Sequence, residues 1–236
     1  MHTVYNFHHG VRDMGKETKR YVGIICSLFM YFVYVILLTV RTKMLIGSYG
    51  SEVNAVFQTS SQIFMYLILF ESGMSAAYQF KLYEPVNDKD MKKIAELFHG
   101  LKKSMRKIAL RMTAVLLAIA VIYPFIMNRV SISFMKAGLI LCLLGIRFVI
   151  PYFVSIANKT LLNVYDYKYV ADNVDSLGYL AITTAEILAI RLLHWPVYGV
   201  LLIGCIGNIA IGLVYVFFIR KVCTGIQAGE TVPDLE

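Results

Sequence analysis

Between Arg20 and Arg41 the chain reads YVGIICSLFMYFVYVILLTV, residues 21–40, twenty consecutive residues without a charge. At 1.5 Å per residue such a run makes a helix of about 30 Å, the thickness of a bilayer's hydrocarbon core. It is longer than the apolar segment of a signal peptide. No small-x-small cleavage site precedes the charges at Arg41 and Lys43, so the run reads as a retained membrane helix. The composition agrees: 58% of the 236 residues are apolar and 16% are charged. A soluble domain carries about 25% charged residues, so an ordinary soluble enzyme is excluded, as are a disordered chain and a disulfide scaffold. The four cysteines, Cys26, Cys142, Cys205 and Cys223, lie far apart with no metal-ligand spacing and read as packing residues.

Working outward, five further apolar runs of about 20 residues lie between charge clusters, at 53–80, 108–127, 137–157, 174–193 and 196–219. They are continuously apolar and do not alternate, which selects helices over barrel strands. The expected fold is all-α, a polytopic membrane protein of six transmembrane helices. The second run is longer than a span needs and is expected to tilt or to run on into the cytoplasm. Of the 23 Lys and Arg, seventeen fall on one side of these spans and five on the other, with Arg147 inside a span. By the positive-inside rule both termini are cytoplasmic. The organisation is then a cytoplasmic tail at 1–20, a six-helix lobe at 21–219 and a second cytoplasmic tail at 220–236. The net charge of +8 reads as topology and not as a nucleic-acid footprint, because no recognition motif surrounds the basic residues.

The longest polar segment, KLYEPVNDKDMKKIAELFHGLKKSMRK at 81–107, places Met91, Ile94, Ala95, Leu97, Phe98 and Leu101 at helical spacing. Lys92, Lys93, Lys102, Lys103, Arg106 and Lys107 surround them, which predicts a basic amphipathic helix at the cytoplasmic surface. It serves either as an anchor on anionic lipid or as a handle on an anionic lipid-linked substrate. Tyr165, Tyr167 and Tyr169 of the next cytoplasmic loop read as interfacial aromatics.

An ionisable group at mid-bilayer costs about 2.5–3.5 kcal/mol on insertion scales, which makes each one a functional candidate. Arg147 lies near the centre of LILCLLGIRFVIPYF at 139–153, and Glu186 near the centre of LAITTAEILAI at 180–190. Glu71 lies past the middle of the second run, whereas Arg111 is one turn into the third and can snorkel. The fourth and fifth spans are antiparallel neighbours, so Arg147 and Glu186 share a depth. They form a structural ion pair, or Arg147 lines a water-filled cavity and binds an anionic head group while Glu186 or Glu71 sets its ionisation or couples to a cation; both roles can coexist. Pro124 and Pro151 interrupt the third and fourth spans, and Asn208 and Gln62 read as interhelical hydrogen-bond partners. No HExxH, GxSxG or P-loop is present, and Gly47 to Ser51 reads as a bend after the first helix. A catalytic role, a metal and a cofactor are therefore not expected, beyond a coupling cation of unknown identity.

The run RTKMLIGSYGSEVNAVFQTSSQIFMYLILFESGMSAAYQFKLYEPVNDKDMKKI, residues 41–94, resembles bacterial polysaccharide flippases of the multidrug/oligosaccharidyl-lipid/polysaccharide exporter superfamily. The elements carrying the likeness are Arg41, the Gly47 to Gly50 turn, Glu71-Ser72-Gly73, and Leu82 to Pro85 before a Lys-rich helix. The stretch LLNVYDYKYVADNVDSLGYL, 161–180, looks like the family's cytoplasmic turn into its fifth helix. The resemblance implies a protein of the bacterial cytoplasmic membrane that flips an isoprenoid-pyrophosphate-linked oligosaccharide, with Arg41 matching the arginine at the first helix end. It also implies two six-helix lobes, so this chain is expected to need a second lobe or a homodimer partner. Two alternatives stand beside it: a cation-coupled multidrug exporter lobe, and a non-transporting scaffold of polysaccharide assembly.

Overall fold

Apolar runs this long leave backbone groups no partner in lipid except one another, and the chain meets that demand with helices throughout. The computed structural model describes residues 2–126 and 134–222, and among them there are seven helices and no strand. They are α1 (His2–Tyr49), α2 (Ser51–Asn87), α3 (Met91–Ile126), α4 (Phe134–Val154), α5 (Ile156–Val164), α6 (Lys168–Arg191) and α7 (Val197–Val222). Among the described residues three stretches are long and apolar enough to cross a membrane: Tyr21–Tyr49, Met135–Val154 and Val197–Arg220.

Several boundaries differ from the sequence reading. The tail at 1–20 was expected to be separate from the first span, but α1 is one helix from His2. It also runs past Arg41 to Tyr49, because Leu45 docks against Ala189, Ile190 and Val200. Gly50, at φ 90°, then makes the bend in a left-handed conformation that suits glycine. The second run does extend, as expected, continuing through Pro85 to Asn87 over about 55 Å.

The segment 81–107 is not a free surface helix. Its first residues complete α2, and the remainder opens α3 and continues without a break into the third apolar run. Ile94, Ala95, Phe98 and Leu101 are buried with Leu82 of α2 and Leu161 and Leu162 of α5. The apolar stripe read as membrane-facing is thus covered by the protein itself. The fourth run is divided: Ser155, four residues beyond Pro151, separates α4 from the short α5.

Helices α4 and α7 lie at the centre, α3 packs on α4, α6 on α7, and α1 lies chiefly along α6. Gly178 of α6 receives Ile211 of α7, where a Cβ would stand 2.5 Å from Ile211 Cδ1. Gly207 of α7 receives Ile182 of α6 in the same way. Such small-residue notches let membrane helices gain close van der Waals contact without a hydrophobic driving force. Gly178→Val or Gly207→Val should therefore lower thermal stability in detergent by about 1–3 kcal/mol through overpacking. Gly47→Ala, on α1 with nothing within 4 Å of an added Cβ, should be neutral or stabilising by up to about 1 kcal/mol. Three indistinguishable melting curves would contradict the α6–α7 contact.

Candidate functional site

The apolar core is not continuous. One cluster gathers Val149, Ile182 and Ile211 with the buried half of α3; a second holds Phe64, Leu116, Leu144 and Leu201; a third holds Leu45, Ala189 and Val200. The polar residues Arg41, Arg147, Glu186 and Asn208 occupy the seam between them. In α4, Arg147 stands between Leu144 and Val149; in α6, Glu186 stands between Ile182 and Ala189. Helical spacing alone thus puts both charges in the bundle interior.

Arg147 Nη1 donates a hydrogen bond to Glu186 Oε1 at 2.5 Å, so the ion pair expected from the sequence forms. A third member joins it. Arg41 Nε lies 2.6 Å from Glu186 Oε2, an ion pair that approaches off the N–H direction and is not a hydrogen bond. Arg41 is 4% exposed and Glu186 0%, whereas the Arg147 side chain retains 16%. Arg41 Nη2 is buried with no hydrogen-bond partner. The Arg41 guanidinium sits 4.6 Å over the Phe57 ring of α2, a cation–π contact.

Among the described residues no acidic side chain other than Glu186 pairs with these two cations. A side chain at Gly204 of α7 would bring a Cβ within 2.5 Å of Arg147 Nη1, so glycine there admits the guanidinium. Asn208 Nδ2 donates to the Arg147 carbonyl at 3.2 Å, the interhelical bond expected of it. Gln62 is instead exposed on α2. Tyr34 of α1 is within electrostatic reach of both arginines, and its ring lies 6.0 Å from Tyr179 and 5.9 Å from Tyr31. Two guanidinium groups facing one carboxylate leave one uncompensated positive charge. Chemically, the seam is suited to an anion.

Of the other candidates, the four lysines fall elsewhere. Glu71 belongs to α2 by its backbone, and its side chain lies outside the described residues. Lys92, Lys93 and Lys103 are exposed on α3, while Lys102 is half-buried with its Nζ 4.4 Å over the Phe98 ring. None of the four comes near the seam. Tyr167 is exposed, but Tyr169 packs against Gly23 of α1, and Tyr165 is half-buried beside the core. Among the described residues no group of His, Cys, Asp and Glu could hold a metal ion.

Sequence reasoning missed a second polar cluster. Lys159 Nζ of α5 pairs with Asp175 Oδ2 of α6 at 2.5 Å. The fully buried Tyr215 of α7 places its hydroxyl 2.6 Å from Asp175 Oδ1 and 2.9 Å from the Ala171 carbonyl. The four-residue spacing of Ala171 and Asp175 put both on one face, yet nothing in the sequence marked Tyr215 as their partner. Comparison with models of protein families, with curated proteins and with solved structures finds no match.

Removing one partner of a buried pair costs about 3–5 kcal/mol because the other charge stays uncompensated. Glu186→Gln strands two guanidinium groups and should be the most destabilising change in the seam. Arg41→Gln leaves the neutral Arg147–Glu186 pair and should cost at least about 2 kcal/mol less. Thermal unfolding of the purified variants checks the order, and a larger loss for Arg41→Gln would refute the assignment of Glu186 as common counter-ion.

Proposed function

We propose that this chain is one six-helix lobe of a transporter of the bacterial cytoplasmic membrane, with both termini cytoplasmic. Its cargo is an isoprenoid-pyrophosphate-linked oligosaccharide, flipped for cell-surface or exported polysaccharide. The six apolar runs lie along α1, α2, α3, the α4–α5 pair, α6 and α7, and the charge bias orients them. The likeness of 41–94 to the polysaccharide flippases supports the cargo. A second lobe or a second copy supplies the opposite wall of the pathway.

The observation that carries this reading is the uncompensated charge of the seam, with Arg41 Nη2 buried and unpartnered. A phosphate oxygen is the complementary acceptor, since guanidinium donors match phosphate in geometry and charge. Its arrival would draw Arg41 and Arg147 from Glu186, and its departure would return them. The carboxylate thus keeps the two cations together in the empty state. It also sets a threshold: the cargo must bind the arginines better than Glu186 does. A coupling cation falls in this reading to Glu186 or Glu71.

A non-transporting membrane scaffold is the second reading, and the depth of Arg41 and Glu186 among helix neighbours favours it. Reconstitution into vesicles separates the two. With a labelled lipid-linked oligosaccharide, Arg41→Gln and Arg147→Gln should lower the flipping rate at least about tenfold, the rate equivalent of losing one charge-assisted hydrogen bond. Arg41→Lys should recover part of it. Wild-type flipping by both Gln variants would rule out the seam as the cargo site. A cysteine at 147 that resists aqueous thiol reagents from both sides would select the scaffold.

A further inference from the structure

From Met91 to Ile122, helix α3 carries two faces. One is covered by the protein: Ile94, Leu101, Met105, Ile108, Met112 and Leu116 are buried. The other is exposed and lies opposite on the helical wheel. Over its middle turns that exposed face carries Lys103, Arg106, Lys107 and Arg111. Lys103, Lys107 and Arg111 follow at four-residue steps, so they form one straight cationic stripe about 12 Å long. Among the described residues no ion pair to an acidic side chain falls on any of the four. Directly beyond them the same face turns apolar, with Leu110, Leu117, Val121 and Ile122 all exposed.

We infer that this face of α3, from Lys103 to Ile122, is the seat of an anionic phospholipid, its phosphate on the cationic stripe and an acyl chain along the apolar one. The inference rests on the reading of α3 as a membrane-crossing helix. The dimensions fit a lipid. From Leu110 to Ile122 the apolar part spans about 18 Å, against about 15 Å for one leaflet's hydrocarbon. The stripe overlaps the edge of that part at Arg111 and reaches about 10 Å beyond Leu110 at Lys103, a distance that a long lysine side chain bridges back to the headgroups. An uncompensated row of four cations is complementary to the negative surface of a cytoplasmic leaflet. An acidic protein segment would satisfy the charges but not the exposed apolar turns that continue them.

The same geometry divides the lysines that the sequence grouped together. Lys92 and Lys93 share the exposed face, but they precede Ile108 by about 20 Å or more of helix. The headgroup layer is only about 5–8 Å deep on each side. Glu96 stands one turn from both and offsets their charge locally. They therefore lie out in the aqueous phase, away from the lipid.

The test uses the purified full chain in protein-free vesicles of phosphatidylcholine with spin-labelled phosphatidylglycerol or spin-labelled phosphatidylcholine as probe. Wild type should enrich the anionic probe at its surface, and Lys103→Gln/Lys107→Gln/Arg111→Gln should lower that enrichment at least about tenfold. Lys103→Arg/Lys107→Arg should retain it, and Lys92→Gln/Lys93→Gln should stay within about twofold of wild type. Equal losses in the two Gln variants, or no loss in the triple one, overturn the inference. Ala118→Cys separates its failure from that of the parent reading. If this cysteine reacts with aqueous thiol reagents in the vesicles, α3 does not cross the membrane, and both readings fall. If it is protected while enrichment is absent, only the lipid seat is lost.

Discussion

A single carboxylate, Glu186, pairs with two arginines from two other helices, the buried Arg41 and the half-buried Arg147, and the centre of the bundle is organised around that imbalance. Arginine stays charged in any protein environment, so neither Arg41 nor Arg147 can escape burial by neutralisation. Each must find a counter-charge, a π-face or a dipole. Glu186 supplies the first to both, Phe57 the second to Arg41, and the seam between three apolar clusters gives them a common place. The neighbouring sequence follows from this. A β-carbon at Gly204 would crowd the Arg147 guanidinium, and Asn208 one turn on bonds the backbone of the same residue.

The consequence extends to α1, which is the least embedded helix and leaves Tyr21, Ile25, Leu28 and Phe29 exposed. Its polar attachments to the bundle are spaced along its length. Among the described residues, Asn173 donates to the Gly23 carbonyl at 3.3 Å near the middle of the helix, Arg41 meets Glu186 further on, and the Tyr49 hydroxyl donates to the Trp195 carbonyl at 2.5 Å at the C-terminal end. A competing anion acts on the interior attachment alone. Helix α1 is also held along α6 by Leu45 on Ala189 and Ile190, Tyr34 beside Tyr179 and Gly23 against Tyr169, so that exchange removes the charged part of the contact and leaves the packed part in place.

Helix content, the Gly50 bend and the Arg147–Glu186 pair were legible in the sequence because each depends on local pattern: continuous apolar runs, a glycine-bounded turn, and two charges at matched depth in antiparallel neighbours. Arg41 was legible as a residue but not as a partner. Its place at the edge of an uncharged run suggested a helix end, and only the docking of Leu45 on α6 and α7 carries the helix onward and draws Arg41 inward. Periodicity also exposed the amphipathic stripe of 91–101 while leaving its partner open. A stripe of Ile94, Phe98 and Leu101 fits a membrane surface or another helix equally well. The polar link of Ser75 to Thr160, 2.7 Å apart, shows how α2 and α5 meet beside it, a tertiary pairing that no local spacing encodes.

Continuity between the basic half of α3 and its apolar half has a mechanical result. A free surface helix joined by a loop would decouple events at the headgroups from the bundle interior. As one helix, α3 has Leu101 and Met105 in the same core cluster as Val149, Ile182 and Tyr215, and Leu116 in the cluster on the other side of the charged seam. A helix is stiff over this length, since its hydrogen bonds close every turn. Any displacement of its cationic collar is therefore carried to both walls of the seam. The cationic collar of α3 and the paired arginines are in this way joined through one rigid element, although no side chain of the collar touches the arginines.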